Sequence, residues 1–219
     1  MDYELMDKQV VSKKRVADHG EVYTGKREVN AMLDLVKQET ERIESRFLEP
    51  ACGKGNFLTE VLERKLYVVE TRYKKSKLEY ERNAVLAVSS IYGIDILEDN
   101  VVECRKRLFQ IFDHKYSNLF KKRVKEECRN AVSFILSKNI IHGDALALKT
   151  VGLRPQPIVF SEWSSVNGSM LKRRDYMLSF LVEKQHQLLL FSDENNAAYI
   201  NEPVKEYPPI HFLRVADVE

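Results

Sequence analysis

Cysteine is scarce and scattered: Cys52, Cys104 and Cys128 are the only three in 219 residues, and no two form a C-x-x-C pair. That spacing excludes a cysteine cage for zinc, so no metal site is expected, and the thiols are expected to be reduced in a cytoplasmic protein. Long apolar runs are missing as well. None approaches the roughly 20 residues that span a bilayer, and no secretory signal opens the chain, so no membrane partner is expected. Neither sign of charge dominates: 35 basic residues against 33 acidic ones leave a formal net charge of +2, which neither demands nor excludes nucleic acid. There is no internal repeat, no low-complexity linker and no Walker lysine–serine pair. The last absence favours a nucleoside over a triphosphate as ligand.

What is present fits one α/β domain with a full core, with little chain left for a second. Hydrophobic residues at 44% and charged residues at 31% are ordinary for a soluble globular protein. A polar segment over 1–20 is expected to be extended, followed by a single domain over 21–219. Basic residues gather at Lys13-Lys14-Arg15, Lys74-Lys75-x-Lys77, Lys121-Lys122-Arg123 and Lys172-Arg173-Arg174. Most such clusters are solvated faces; a phosphate-facing role for one of them is the sharper reading.

The stretch that organises the chain is Phe47-Leu48-Glu49-Pro50-Ala51-Cys52-Gly53-Lys54-Gly55-Asn56-Phe57. An apolar pair and an acid lead into two glycines, and the amphipathic run Phe57-Leu58-Thr59-Glu60-Val61-Leu62 follows at once. This is the pattern of a buried strand that ends in a tight loop and feeds a helix. Glycines there adopt backbone conformations closed to other residues and let a ligand approach the main chain. The G-x-G-x-x-G fingerprint of dinucleotide sites is not met, because Leu58 stands at the third glycine position.

Upstream, Thr24 is placed to cap a helix from Arg27 to Gln38, with Val29, Met32, Leu33 and Val36 on one face. Lys65 to Val88 reads as one long helical stretch. Ser90-Ile91-Tyr92-Gly93-Ile94-Asp95-Ile96 is a second strand ending on an acid, and Asp99 to Phe112 and Tyr116 to Ser137 read as helices. Asn139-Ile140-Ile141-His142-Gly143-Asp144 is a third strand, again acid-tipped, and Ile158-Val159-Phe160 a fourth. Beyond it we expect a helix from Arg174 to Phe191 and an extended piece from Ile210 to Val215. Strands alternating with helices imply a mostly parallel sheet with ligand groups along one edge. There the glycine loop packs against a small molecule, Asp95 accepts both hydroxyl hydrogens of a ribose, and Asp144 with Ala145 and Leu146 reads an exocyclic amine and flanks a flat ring.

The glycine loop resembles the first motif of the amino-group DNA methyltransferases that use S-adenosylmethionine, and most of all the adenine-N6 enzymes of restriction–modification systems. Gly20-Glu21-Val22-Tyr23-Thr24 resembles their upstream segment, with Gly25 where proline is usual. Tyr92-Gly93-Ile94-Asp95-Ile96 resembles their second motif and His142-Gly143-Asp144-Ala145-Leu146 their third, in the same order. The resemblance covers about residues 15–165. It implies a Rossmann-like methyltransferase fold, a mostly parallel sheet flanked by helices, with S-adenosylmethionine as cofactor. It further implies that Thr24, Glu49, Ala51, Gly53, Asn56 and Phe57 surround the methionine part, Asp95 and Ile96 the ribose and adenine, and Asp144 the adenine amine; Tyr23, Gly55, Ala145 and Leu146 are also expected to bind the cofactor.

Those enzymes carry Asn/Asp-Pro-Pro-Tyr/Phe after the fourth strand, where a polar side chain accepts from the target amine and an aromatic ring stacks on the flipped base. Here Phe160-Ser161-Glu162-Trp163-Ser164 occupies that place, which leaves Glu162 and Trp163 as the candidate acceptor-side catalytic residues. The residues after Ser161 are few for the strands the full fold needs, so an abbreviated C-terminal end is expected, and DNA as substrate with a second protein subunit to recognise its sequence. The alternatives are a catalytically inactive cofactor-binding module serving as scaffold or regulator, and a methyltransferase acting on RNA or protein.

Overall fold

The structure is a computed structural model, and it describes residues 13–19, 24–180, 182 and 202–218. A short helix, α1 (Lys13–His19), precedes α2 (Lys26–Leu35) and the single turn α3 (Lys37–Thr40). The sheet opens with β1 (Phe47–Glu49), followed by α4 (Asn56–Tyr73) and α5 (Lys77–Ser89). Then come β2 (Ile91–Asp95), α6 (Glu98–Phe120), α7 (Glu126–Asn139) and β3 (Ile140–Asp144). The chain closes with β4 (Lys149–Thr150), β5 (Val159–Ser165), β6 (Met170–Met177), β7 (Lys205–Glu206), β8 (Ile210–His211) and a 3-10 turn over Phe212–Asp217.

β1, β2 and β3 pair in parallel in that order, and β4 closes the far edge antiparallel to β3. Two successive crossovers in one direction carry their helices to one face, because right-handed connections are strongly preferred. Ile91 and Ile140 join the core of α4 to α7 there, while Tyr92 and Ile94 point into a smaller cluster with Ile158, Phe160 and Leu178. All five residues of β2 are buried, as a strand covered on both faces requires.

Several elements differ from the sequence expectation. The fourth strand does not extend the parallel sheet: β5 pairs antiparallel with β6 along its whole length, from Val159 opposite Met177 to Ser165 opposite Leu171. The helix expected from Arg174 is strand as far as Met177; the part beyond 182 lies outside the described residues. The signal for the hairpin is Asn167-Gly168 in its turn, with Gly168 at φ +53°, a pair that favours tight hairpin turns. The long stretch after Lys65 is two helices, broken before Ser76, whose hydroxyl accepts the Glu79 amide and caps α5. Thr24 caps nothing, since Gly25 occupies the N-cap of α2 and that cap has no side-chain bond. Residues 13–19 form a helix where an extended segment was expected.

The basic run Lys172-Arg173-Arg174 is absorbed by the hairpin. Lys172 and Arg174 pair with Glu206, and the 8%-exposed Arg173 forks onto Asp175 at 2.8 Å beneath the Tyr207 ring.

Candidate functional site

The glycine loop turns at the carboxyl end of β1, where open α/β sheets bind their ligands. Gly53 and Gly55 hold φ +52° and +82°, conformations that a Cβ disfavours. At Gly55 a Cβ would also stand 2.6 Å from Cys104 Sγ of α6. The loop is laced to β2, because Cys52 N–H donates to Ile94 O at 2.9 Å and Gly53 N–H to Asp95 Oδ2 at 2.8 Å. From α6, the Arg107 guanidinium donates to Lys54 O and Asn56 Oδ1, both at 2.7 Å. Asn56 in turn donates to Thr24 O at 3.2 Å, which draws the segment before α2 to the loop.

Around this loop lies a cavity of about 450 Å³, within the roughly 300–1,000 Å³ range of small-molecule sites. Thr24, Glu49, Ala51, Gly53, Asn56 and Phe57 form one wall, Asp95 and Ile96 the next, and Asp144, Ala145 and Leu146 the third. Three separate strand ends thus converge on one space. Gly55 sits behind the wall against Cys104, and Tyr23 lies outside the described residues. Sequence reasoning missed Met32, Pro50, Cys52, Leu97, Asn100 and Gly143, which also line the cavity. Pro50, Cys52 and Gly143 could have been found as members of the same motifs. Met32 and Asn100 come from helices and carry no local mark.

The two aspartates are used differently. Asp95 is 8% exposed; Oδ2 takes the Gly53 amide, and Oδ1 takes the Leu97 amide at 2.9 Å and Asn100 Nδ2 at 3.2 Å. With about four acceptor positions on a carboxylate, one remains. Asp144 uses Oδ1 for the Leu146 and Ala147 amides at 2.8 and 3.0 Å, and Oδ2 makes no hydrogen bond among the described residues. Ile96 and Leu146 are 47% and 97% exposed, two apolar surfaces bordering the cavity. Burial raises the Glu49 carboxyl above its ordinary value, against the lowering effect of the Ala51 amide. The Cys104 thiol beside Cys52, with burial second, pushes the Cys52 thiol far up, so it stays protonated.

Residues 24–157, more than half of the chain, match the family described as "MmeI, DNA-methyltransferase domain". The chain belongs to the MmeI DNA-methyltransferase domain family. No curated protein and no solved structure matches it. The match to the MmeI family takes in every residue of the cavity wall and ends before Glu162 and Trp163.

Those two residues stand apart from the cavity. Glu162 is ion-paired with Arg46 and lines an apolar pocket of about 240 Å³ with Leu48, Tyr92, Phe160 and Tyr176. Trp163 is 5% exposed, and its indole N–H donates to Asn139 Oδ1 at 3.2 Å inside the core. Among the described residues no helix is long and apolar enough to cross a membrane.

Proposed function

We propose that the protein is an S-adenosylmethionine-dependent DNA methyltransferase of the restriction–modification kind, acting on the N6 amine of adenine. The observation that carries this reading is the cavity: eleven residues singled out for a nucleoside-bearing cofactor, ten from three strand ends and Thr24 from the segment before α2, line one space of suitable size. The cofactor supplies an electrophilic methyl group on a sulfonium. Glu49 holds the ammonium of its methionine part, and the Gly53 loop packs on the chain between. Asp95 has one acceptor position to offer and takes one ribose hydroxyl rather than two. Asp144 Oδ2 accepts from the adenine amine, with Ile96 and Leu146 flanking the ring. On this reading residues 21–219 act as one domain, and a second protein subunit finds the target sequence in DNA.

Glu162 lies outside the cavity and is paired with Arg46; it is proposed on the acceptor side, where the target amine would have to replace the Arg46 guanidinium to hydrogen-bond its carboxylate. Trp163, held in the core, does not stack on the base. The Arg46–Glu162 pair favours a second reading, a cofactor-binding module without transferase activity that serves as scaffold for a partner.

Calorimetric titration with S-adenosylmethionine, beside an Asp144→Ala variant, tests the cavity. We expect saturable binding that weakens about tenfold in the variant, the loss of one charge-assisted bond; no binding by the wild type would refute the reading. Replacing Glu162 by Ala separates the two functions. Loss of methyl transfer with cofactor affinity kept supports the enzyme, whereas unchanged transfer removes Glu162 from the chemistry.

A further inference from the structure

We infer that α1 is a positioning element for the cavity, acting from Arg15 through Asn100 and Asp95 onto the main chain of Gly53; the link to cofactor affinity rests on the cofactor reading above. The Arg15 guanidinium forks onto Asp99, Nη1 to Oδ2 at 2.6 Å and Nη2 to Oδ1 at 3.3 Å. Nη2 also donates to Asn100 Oδ1 at 3.2 Å. Asn100 is 1% exposed and passes the connection on, since its Nδ2 donates to Asp95 Oδ1 at 3.2 Å. Asp95 Oδ2 then accepts the Gly53 amide at 2.8 Å. An unbroken line of hydrogen bonds therefore joins a helix before the methyltransferase motifs to the loop that shapes the cavity.

The polarity of the line fixes its geometry. An amide side chain accepts at one end and donates at the other. With its oxygen turned to a guanidinium, Asn100 must present its NH₂ to the Asp95 carboxylate, and both contacts are charge-assisted. Asp99 and Asn100 lie in the first turn of α6, where the helix end carries partial positive charge. A cation is unfavourable there by itself, so Arg15 is held by the Asp99 carboxylate, whose own pKa the Arg15 contact lowers.

The tether is weak enough to act as a switch. Asp99 is 61% exposed and Arg15 24%, and exposed ion pairs contribute little to global stability. Docking of α1 and a well-formed Gly53 loop therefore favour each other, while the Arg15–Asp99 pair itself adds little to global stability. By reciprocity, a cofactor that selects the formed loop also selects docked α1.

Hydrogen exchange at the Gly53 and Leu97 amides, both bonded to Asp95, tests the relay in the absence of cofactor. In Arg15→Ala both amides are expected to exchange faster while those of α7 keep their protection, and S-adenosylmethionine affinity is expected to fall roughly two- to fivefold. Arg15→Lys can reach Asp99 but cannot also bridge to Asn100, so it should restore less than half of the lost Gly53 protection. Unchanged exchange at Gly53 in Arg15→Ala overturns the relay, whatever the affinity does. Faster exchange in a protein that binds no cofactor at all leaves the relay standing and refutes the cofactor reading alone.

Discussion

The indole of Trp163 and the side chain of Asn139 are locked together inside the protein. Trp163 Nε1 donates to Asn139 Oδ1 at 3.2 Å, and Asn139 Nδ2 donates to Ser89 O at 3.0 Å and Ile91 O at 3.1 Å. Asn139 is fully buried at the end of α7 and so ties β5 to the α5–β2 junction. Replacing it by Ala leaves one indole N–H and two carbonyls without partners. The expected cost is about 3 kcal/mol, read as a lower urea midpoint with an unchanged m-value. Trp163 is the only tryptophan, so its fluorescence should be blue-shifted in the native wild type and should not respond to S-adenosylmethionine.

Gly55 has no room for a side chain on either count, steric or conformational. Gly55→Ala would keep φ near +82° at a strain of roughly 1–3 kcal/mol and press its methyl onto Cys104 Sγ. The loop is expected to shift rather than the helix, because α6 is anchored by Leu108, Phe112 and Tyr116 in the core. Cofactor affinity should fall by at least tenfold while the melting temperature drops by only a few degrees, measured side by side by calorimetry.

On the cofactor reading, Glu49 should make S-adenosylmethionine affinity depend on pH. Its carboxyl titrates above the ordinary value of 4.5 because burial disfavours the charge. Pairing with an ammonium requires the ionised form, so binding should weaken as pH falls through that raised pKa and should release protons near it. Titrations in two buffers of different ionisation enthalpy measure the released protons directly. Glu49→Gln should abolish the dependence and cost about tenfold in affinity at neutral pH.

Lys65 presents the reverse case. It is fully buried, with the N–H groups of Nζ shared among Arg42 O, Ile43 O, Ser45 O and Ser90 Oγ at 2.5–3.0 Å, and it pins the segment that leads into β1. Burial draws its pKa down to about 7, opposed by Glu44 and Glu39. The unfolded chain titrates near 10.4, so between about pH 7 and 10.4 it holds more protons than the native state. The contribution of this group is therefore fully present above that window and is lost as pH falls through it towards 7. Lys65→Met should destabilise by about 2–4 kcal/mol through the orphaned carbonyls, and the gap between wild type and variant should widen from pH 7 to pH 10 in chemical denaturation.

The sequence by itself determined the parts whose information is local. The strand, the positive-φ glycines and the following helix sit side by side in residues 47–73, and the acids that end β2 and β3 are each the last residue of their strand. Alternation of strand and helix then brings those ends to one edge, because parallel strands joined by right-handed crossovers all point the same way. Eleven residues that line the cavity are therefore legible in the sequence, whereas Met32, Leu97 and Asn100 are not.

Tertiary structure decided whatever depends on a partner distant in the chain. Glu162 and Trp163 looked like a matched acid and aromatic beside a strand end. Alternation along β5 turns one towards Arg46 and the other into the core against Asn139. Arg173 read as part of an exposed basic run until Asp175, two residues on along the same strand face, and Tyr207 enclosed it. Lys65 looked like one more cation on a charged helix, and Arg15 like part of a solvated tail. Their roles rest on carbonyls and carboxylates contributed from 20 to 85 residues away, and no local periodicity records which of many equivalent charges will find such a partner.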